Sequence, residues 1–209
     1  MNLSRRAASE LVGTALLLAT VVGSGIMGER LAGGNVAIAL LANSAATGAA
    51  LVALILTLGA AMNPLVTVSE AVRRLVAWSD VPVLVVAQLL GAIVGVVAAN
   101  AMFELPVVSV SQHARSGGGQ LLSEVVATFG LVLVVIRARE PALAVGGYIA
   151  AAYWFTASTS FANPAVTVAR SLTDTFAGIR PADVAGFVAA QVVGAAVATG
   201  FGLWIGGKR

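Results

Sequence analysis

Two asparagine–proline motifs offer the clearest chemistry in this sequence. They are Asn63-Pro64-Leu65 and Asn163-Pro164-Ala165. Asparagine is a strong helix N-cap, and proline suits the first helical position because an N–H there would lack a partner anyway. Each motif therefore predicts a helix start, where free backbone N–H groups concentrate roughly half a positive charge. Such an end repels cations and binds oxygen atoms, and the asparagine amide adds N–H donors of its own.

The remaining residue types predict no catalytic or metal chemistry. The chain has no cysteine and a single histidine, His113, in a polar stretch, so a zinc-type ligand set is missing. A protease within a membrane would need a serine–histidine or paired-aspartate arrangement, and no aspartate lies inside the long apolar runs. We therefore expect a protein that is not an enzyme and that needs neither a metal nor a cofactor.

Composition shows what surrounds the two motifs. Apolar residues make up 59% of the 209 residues and charged residues 10%, against about a quarter charged in soluble domains. Such a chain cannot cover itself with a charged surface, so lipid must be its main solvent. The twelve cations are scattered in ones and twos and form no basic stripe, which excludes nucleic acid as a partner.

The uncharged runs count the membrane crossings, because about 20 apolar residues span the hydrocarbon. The runs are Leu11–Gly28, Leu31–Ser69, Val81–Phe103, Val125–Ile136, Pro141–Ala169 and Val184–Gly207. The fourth run extends to Leu121–Arg139 if its arginines reach the interface. The second and fifth runs exceed one crossing, and the excess of each begins at an asparagine–proline motif. We predict an all-α membrane protein with six transmembrane helices and two re-entrant half-helices.

The halves of the chain repeat one another. The six residues from Asn63 match those from Asn163 at five positions, and Ala87-Gln88 with Gly91 matches Ala190-Gln191 with Gly194. Because each half contains three crossings, the second copy must enter the membrane from the opposite face. We predict one channel domain, residues 1–209, with inverted repeats at about 7–103 and 120–207 joined by a linker at 104–119.

This inversion brings the two helix starts together head to head. Their meeting point is a positive focus in mid-membrane, which repels protons and metal cations and admits neutral solutes. The pattern predicts a passive pore for small uncharged solutes. One alternative is that the re-entrant segments merely fill a bundle. Another is a secondary transporter, which would need an intramembrane ionisable residue; Glu10 and Glu124 are the candidates.

Charge also predicts the orientation. Eight of the twelve cations fall on the side that both termini share. Because cytoplasmic loops are enriched in lysine and arginine, we expect both termini in the cytoplasm and the protein in the cell (inner) membrane.

The paired motifs resemble the two Asn-Pro-Ala boxes of the aquaporin and glycerol-facilitator superfamily, and the resemblance extends over nearly the whole chain. It implies that Glu10 and Glu124 hold the re-entrant loops from within the first and fourth helices, and that four copies form a homotetramer. The stretch Ala152–Thr167 is similar to bacterial aquaporins associated with arsenic resistance. That similarity implies arsenous acid as a solute beside glycerol, with urea and water fitting the same physics.

The resemblance fails at the outer constriction, where the family usually has arginine and this chain has Val166. By the same resemblance, the other constriction positions map onto Thr47, Ala151 and Ser160. These small residues predict a wider, less polar filter than that of a strict water channel. Two alternatives stay open: Arg170 could compensate for the missing arginine, although it lies further along the half-helix, and Asn43 could take the place of Thr47.

Overall fold

The computed structural model describes residues 2–206, and within that range the protein consists of helices and connecting segments without strands. The helices are α1 (Leu3–Leu31), α2 (Val36–Leu58), α3 (Pro64–Val72), α4 (Val81–Met102), α5 (Gly118–Arg137), α6 (Pro141–Phe155), α7 (Pro164–Arg170) and α8 (Pro181–Gly206). Lys208 and Arg209, two of the cations used for the orientation, lie outside the described residues, as does the last residue of the run Val184–Gly207. The all-α prediction is confirmed.

Five helices, α1, α2, α4, α5 and α8, are long and apolar enough to cross a membrane. The sixth, α6, has 15 residues and is therefore only about 22 Å long. It is shorter than predicted because the chain leaves the helix at Phe155 and turns towards Asn163. Thr156 is extended, and Thr159 and Ser160 have positive φ angles.

The half-helices α3 and α7 begin as the asparagine–proline motifs predict. The side-chain oxygen of Asn63 accepts the backbone N–H of Leu65 at 3.0 Å. That of Asn163 accepts the N–H groups of Ala165 and Val166 at 3.0 and 3.3 Å. Proline occupies the first turn of each helix. The helix starts are thus fixed by local sequence.

The long helices pack in a pattern that repeats between the halves. Helix α1 packs against α2 and α4, as α5 packs against α6 and α8. Each half-helix contacts the last long helix of the other half, α3 with α8 and α7 with α4. The halves therefore interlock around the two half-helices, as the predicted inverted arrangement requires. The sequence limits of the repeats, about 7–103 and 120–207, stay a prediction.

Two equivalent glycines let the first and last helices of each half approach closely. A Cβ added at Gly91 of α4 would collide with the backbone carbonyl of Leu11 in α1. A Cβ added at Gly194 of α8 would collide with the carbonyl of Val125 in α5. Small residues permit such contact between membrane helices, which explains why the Ala-Gln-x-x-Gly pattern occurs twice.

We expect Gly91→Ala to destabilise the bundle by about 1–3 kcal/mol, because the added methyl group must push α4 away from α1. Thermal unfolding in detergent measures the effect. Gly147→Ala in α6 is the matched control, since a Cβ there meets nothing within 4 Å and alanine favours a helix. Equal unfolding temperatures for the two variants would contradict the proposed close contact.

Candidate functional site

The two asparagine–proline motifs contact each other directly. The amide nitrogen of Asn63 donates to the carbonyl of Ala162 at 2.8 Å, and that of Asn163 donates to the carbonyl of Met62 at 2.7 Å. Because each amide oxygen already caps its own helix, the amide joins two half-helices with one N–H and has a second N–H to offer.

Glu10 fastens the first re-entrant loop from inside α1. Its carboxylate is 3% exposed and accepts the backbone N–H groups of Ala61 and Met62 at 2.8 and 2.7 Å. The side-chain amide of Gln88 in α4 donates to the same carboxylate at 2.8 Å. Charge-assisted bonds of this kind are the strong ones in proteins, so the loop is anchored to two long helices.

Glu124 does the same for the second loop from inside α5. It is fully buried and accepts the N–H groups of Phe161 and Ala162 at 3.0 and 2.9 Å. Gln191 of α8 donates to it at 2.6 Å. The repeated glutamates and glutamines of the sequence are thus the members of two equivalent networks.

Each network continues through a threonine to the helix start. The amides of Gln88 and Gln191 also donate to the hydroxyls of Thr67 and Thr167, at 2.9 and 2.8 Å. Each threonine hydroxyl in turn donates to the carbonyl of the asparagine four residues before it. The repetition of threonine four positions after each asparagine was a signal in the sequence for this link.

The residue before each asparagine adopts a disfavoured conformation. Met62 has φ 51° and Ala162 has φ 48°, in the left-handed region that costs a non-glycine residue about 1–3 kcal/mol. Both N–H groups are held by the buried carboxylates described above. Strain of this kind persists where the surrounding structure enforces it, and it marks functional sites.

A cavity of about 180 Å³ runs past both asparagines. Six of the residues singled out from the sequence line it: Thr47, Asn63, Ser160, Asn163, Val166 and Arg170. Pro64, Leu65, Pro164 and Ala165 are not among its lining residues; they form the first turns of the half-helices. Most of the wall is aliphatic, so a solute meets few polar groups apart from those at the asparagines and the openings.

Ala151 is not part of this cavity, contrary to the mapping from the resemblance. It is exposed on the outside of α6, whereas Tyr153 is 3% exposed and lines the cavity. Two residues correspond to about 200° around a helix, so an assignment shifted by two positions points to the opposite face. The Tyr153 hydroxyl lies 3.3 Å from that of Thr47.

Asn43, the alternative to Thr47, has a different role. Its amide donates to the carbonyl of Val21 at 2.7 Å and to the hydroxyl of Ser24 at 2.8 Å. These bonds tie α2 to α1, and Asn43 is not among the residues that line the cavity.

Arg170 lies closer to the cavity than its distance along the half-helix suggested. It is 2% exposed and lines the cavity. Its Nε donates to the carbonyl of Ala177, and its guanidinium carbon lies 3.4 Å from the ring centre of Phe161. The guanidinium therefore lies against the Phe161 ring at the cavity wall.

The connecting segment between α4 and α5 packs beside the end of the cavity that Arg170 lines. Its backbone bonds to the chain after α7, from Ser109 to Leu172 and from Ser111 to Ser171, both at 3.0 Å. Arg115 donates to the carbonyl of Gly178 at 2.8 Å. The segment predicted at 104–119 is therefore packed against the second half rather than serving only as a connection.

Arg115 adds a second buried cation beside Arg170. Its guanidinium carbon lies 5.0 Å from the same Phe161 ring. Burial lowers the pKa of Arg115 to about 10, although Tyr153 and Glu124 oppose the shift, so Arg115 stays charged at neutral pH. We call this end of the cavity, which Phe161 and Arg170 line beside segment 103–117, the linker mouth.

The opposite opening, beside the start of α1, is the terminal mouth. Glu70 of α3 lines the cavity there, and its carboxylate lies 3.6 Å from the guanidinium of Arg6. The sequence had singled out neither Glu70 nor the residues Arg115, Tyr153 and Phe161.

This arrangement is suited to selection by charge and size rather than to bond making. Two N-terminal helix ends face each other, and each brings positive partial charge to the middle of the cavity. Positive partial charge at this point would oppose the entry of a metal cation or a proton. A neutral solute finds N–H donors at the asparagines and an aliphatic wall elsewhere.

Comparison with known proteins gives the same picture. Residues 1–142 match the family described as "MIP: Major intrinsic protein". Aquaglyceroporin AqpS of Rhizobium meliloti (strain 1021) is 49% identical over 98% of this chain and 91% of its own length. Aquaporin NIP3-1 of Oryza sativa subsp. japonica is 30% identical, over 70% of this chain and 48% of the rice protein.

A solved structure shares the fold. The X-ray structure of the aquaglyceroporin from Plasmodium falciparum superposes with a TM-score of 0.73, covering 96% of this chain and 95% of that one, at 21% identity. The two re-entrant half-helices, their interlocked packing and the match over residues 1–142 agree on one conclusion. The chain belongs to the major intrinsic protein family, whose aquaglyceroporins are membrane channels and not enzymes.

Proposed function

We propose that this protein is a passive channel for small uncharged solutes, with glycerol and arsenous acid as its main substrates and urea and water as further candidates. The observation that carries the proposal is the contact between Asn63 and Asn163, whose capped half-helices meet beside one cavity. The meeting point excludes protons and metal cations by charge, and the aliphatic wall leaves neutral solutes free to pass.

Two relatives support the choice of glycerol, since the proteins from Rhizobium meliloti and Plasmodium falciparum are both named aquaglyceroporins. Arsenous acid fits for a chemical reason, because it is neutral at pH 7 and presents hydroxyl groups in a glycerol-like shape. The similarity of the stretch around Val166 to arsenic-associated aquaporins favours the same solute.

A coupled transporter is the weaker alternative. Such a protein needs an ionisable group that can bind and release a driving ion. Both intramembrane candidates, Glu10 and Glu124, instead accept three hydrogen bonds each from loop and glutamine N–H groups. Their bonds to the protein leave little capacity for a transported ion, which favours passive flow.

We extend the proposal to the setting of the channel. The whole chain, residues 1–209, forms one channel domain that lies in the cell (inner) membrane with both termini in the cytoplasm. Four copies assemble, each with its own pore, and the lipid bilayer surrounds the assembly. The exposed apolar residues on the long helices are suited to contact with lipid or with a neighbouring copy.

Solute flux into liposomes that contain the purified protein tests this function. Stopped-flow light scattering under imposed gradients of glycerol, arsenous acid, urea and an impermeant osmolyte compares the solutes and water. We expect glycerol and arsenous acid fluxes above those of empty vesicles and nearly linear in concentration. Saturating flux would favour a carrier, and fluxes equal to empty vesicles for every neutral solute would contradict the channel.

We expect Val166→Arg to reduce glycerol flux by about ten-fold or more, for which a barrier of about 1.4 kcal/mol suffices, and to reduce water flux less. The reason is that Val166 lines the cavity and a guanidinium would fill space that a wider solute needs. Val166→Thr keeps the width of the side chain and serves as the control. Equal loss of both fluxes in the arginine variant would show that Val166 does not border the narrowest point.

A further inference from the structure

The last turn of each half-helix carries an ionisable residue at the same place. Glu70 lies seven positions after Asn63, and Arg170 lies seven positions after Asn163. Both side chains line the cavity, and they are the two charged side chains among the described residues that do so. Because the half-helices run in opposite directions, the pore has a carboxylate at the terminal mouth and a guanidinium at the linker mouth.

The two residues differ in how they suit their helices. The C-terminal end of a helix has negative partial charge, so a cation there is favourable and an anion is not. Arg170 in the last turn of α7 follows this rule. Glu70, two residues before the end of α3 at Val72, violates it. A residue that breaks a local rule of stability is a candidate for a role in function.

The Glu70 carboxylate is partly buried at the terminal mouth. The guanidinium of Arg6 in α1 lies 3.6 Å away, and both side chains are about a quarter exposed. Such an exposed ion pair adds little stability. Of the two partners, Glu70 lines the cavity and Arg6 does not, so the negative group is the one that a passing solute meets.

Selection against anions needs a negative group of this kind. The two helix ends at the asparagines make the middle of the pore positive, which repels cations and attracts anions. Arg170, with Arg115 beside it, adds positive charge at the linker mouth. An anion that enters from the linker mouth is therefore attracted by positive charge as far as the centre of the pore. Glu70 is the first group on its path that repels it.

We infer that Glu70 is the residue that keeps small anions from crossing this pore, an inference that rests on the proposed channel function. Two separate groups exclude ions from the pore. The half-helix ends repel cations at the centre, and the Glu70 carboxylate repels anions at the terminal mouth. Neutral solutes are insensitive to both. A like charge beside a narrow, aliphatic passage acts strongly because little water screens it.

Nitrate flux tests the inference. Liposomes that contain the protein are mixed with potassium nitrate in the presence of valinomycin, so that potassium crosses freely and swelling reports nitrate entry. We expect Glu70→Gln to raise nitrate flux by about ten-fold or more over the wild-type protein. Glu70→Asp keeps the charge and should restore exclusion. Glu29→Gln removes an exposed carboxylate that does not line the cavity and should leave nitrate flux as in the wild type.

Glycerol flux in the same preparations distinguishes a failure of the proposed channel function from a failure of the role inferred for Glu70. If the wild-type protein conducts no glycerol or other neutral solute, the proposed function fails. If Glu70→Gln conducts glycerol but excludes nitrate as well as the wild type does, the inference fails while the channel stands. A Glu70→Gln protein that conducts neither solute also contradicts the inference, because that result would show that the carboxylate maintains the structure of the terminal mouth.

Discussion

Glu124→Ala is expected to abolish solute flux and to destabilise the protein by about 4.5–9 kcal/mol, because three charge-assisted hydrogen bonds of about 1.5–3 kcal/mol each are lost. The N–H groups of Phe161 and Ala162 and the amide of Gln191 would be left without their buried acceptor. A loss of this size is comparable with the whole stability of many proteins.

The loss should act on the pore as well as on stability. The carboxylate holds Ala162 in its left-handed conformation. The carbonyl of Ala162 in turn accepts a hydrogen bond from the side-chain amide of Asn63. Releasing the loop therefore separates the two half-helix starts. Glycerol flux in liposomes and thermal unfolding in detergent measure the two effects.

Glu140→Ala is the control for this experiment, because Glu140 is an exposed carboxylate that caps nothing at the start of α6. We expect it to unfold and conduct as the wild type does. Glycerol flux at the wild-type level in the Glu124→Ala protein would contradict the role given to the buried carboxylate.

Asn163→Asp is expected to raise proton flux about a hundred-fold or more, because a full negative charge beside the helix ends cancels their positive potential; at close range such a charge is worth several kcal/mol. The substitution also replaces the N–H donor to Met62 with an oxygen that the carbonyl repels. A pH-sensitive dye inside liposomes under a potassium diffusion potential measures the proton flux.

Asn35→Asp is the matched control. Asn35 caps α2 through its side-chain oxygen at an exposed position, where aspartate caps as well as asparagine does. We expect the proton flux of this variant to equal that of the wild type. An Asn163→Asp channel that still conducts glycerol and admits no more protons would show that the barrier lies elsewhere.

The features that local chemistry determines could be predicted from the sequence. The starts of α3 and α7 follow from asparagine as a cap and proline at the first turn. The inverted arrangement follows from the repeats and the odd number of crossings in each half. The glutamates entered through the family resemblance, and the structure shows the hydrogen bonds that they accept.

Other features depend on how distant segments meet. Arg115 contacts Phe161 because the segment between α4 and α5 folds back onto the chain after α7, and no local pattern indicates that path. Ala151 was misplaced because a shift of two positions along α6 turns a side chain to the opposite face, and it is Tyr153 that lines the cavity.

Arg170 illustrates a third kind of difficulty. Counting along α7 places it a turn beyond Val166 and away from the constriction. Helical side chains, however, tilt towards the N-terminus of their helix and cover the preceding turn. The long side chain of Arg170 thus reaches back to the cavity, where its guanidinium packs on Phe161.

In the proposed channel, the two helix starts beside Asn63 and Asn163 allow neutral molecules to pass and exclude protons. Glycerol entry and internal pH, recorded on one preparation of wild-type liposomes, test it most directly. We expect glycerol entry well above that of empty vesicles, together with a proton leak no greater than that of empty vesicles. Proton flux that rises in step with glycerol flux would contradict it.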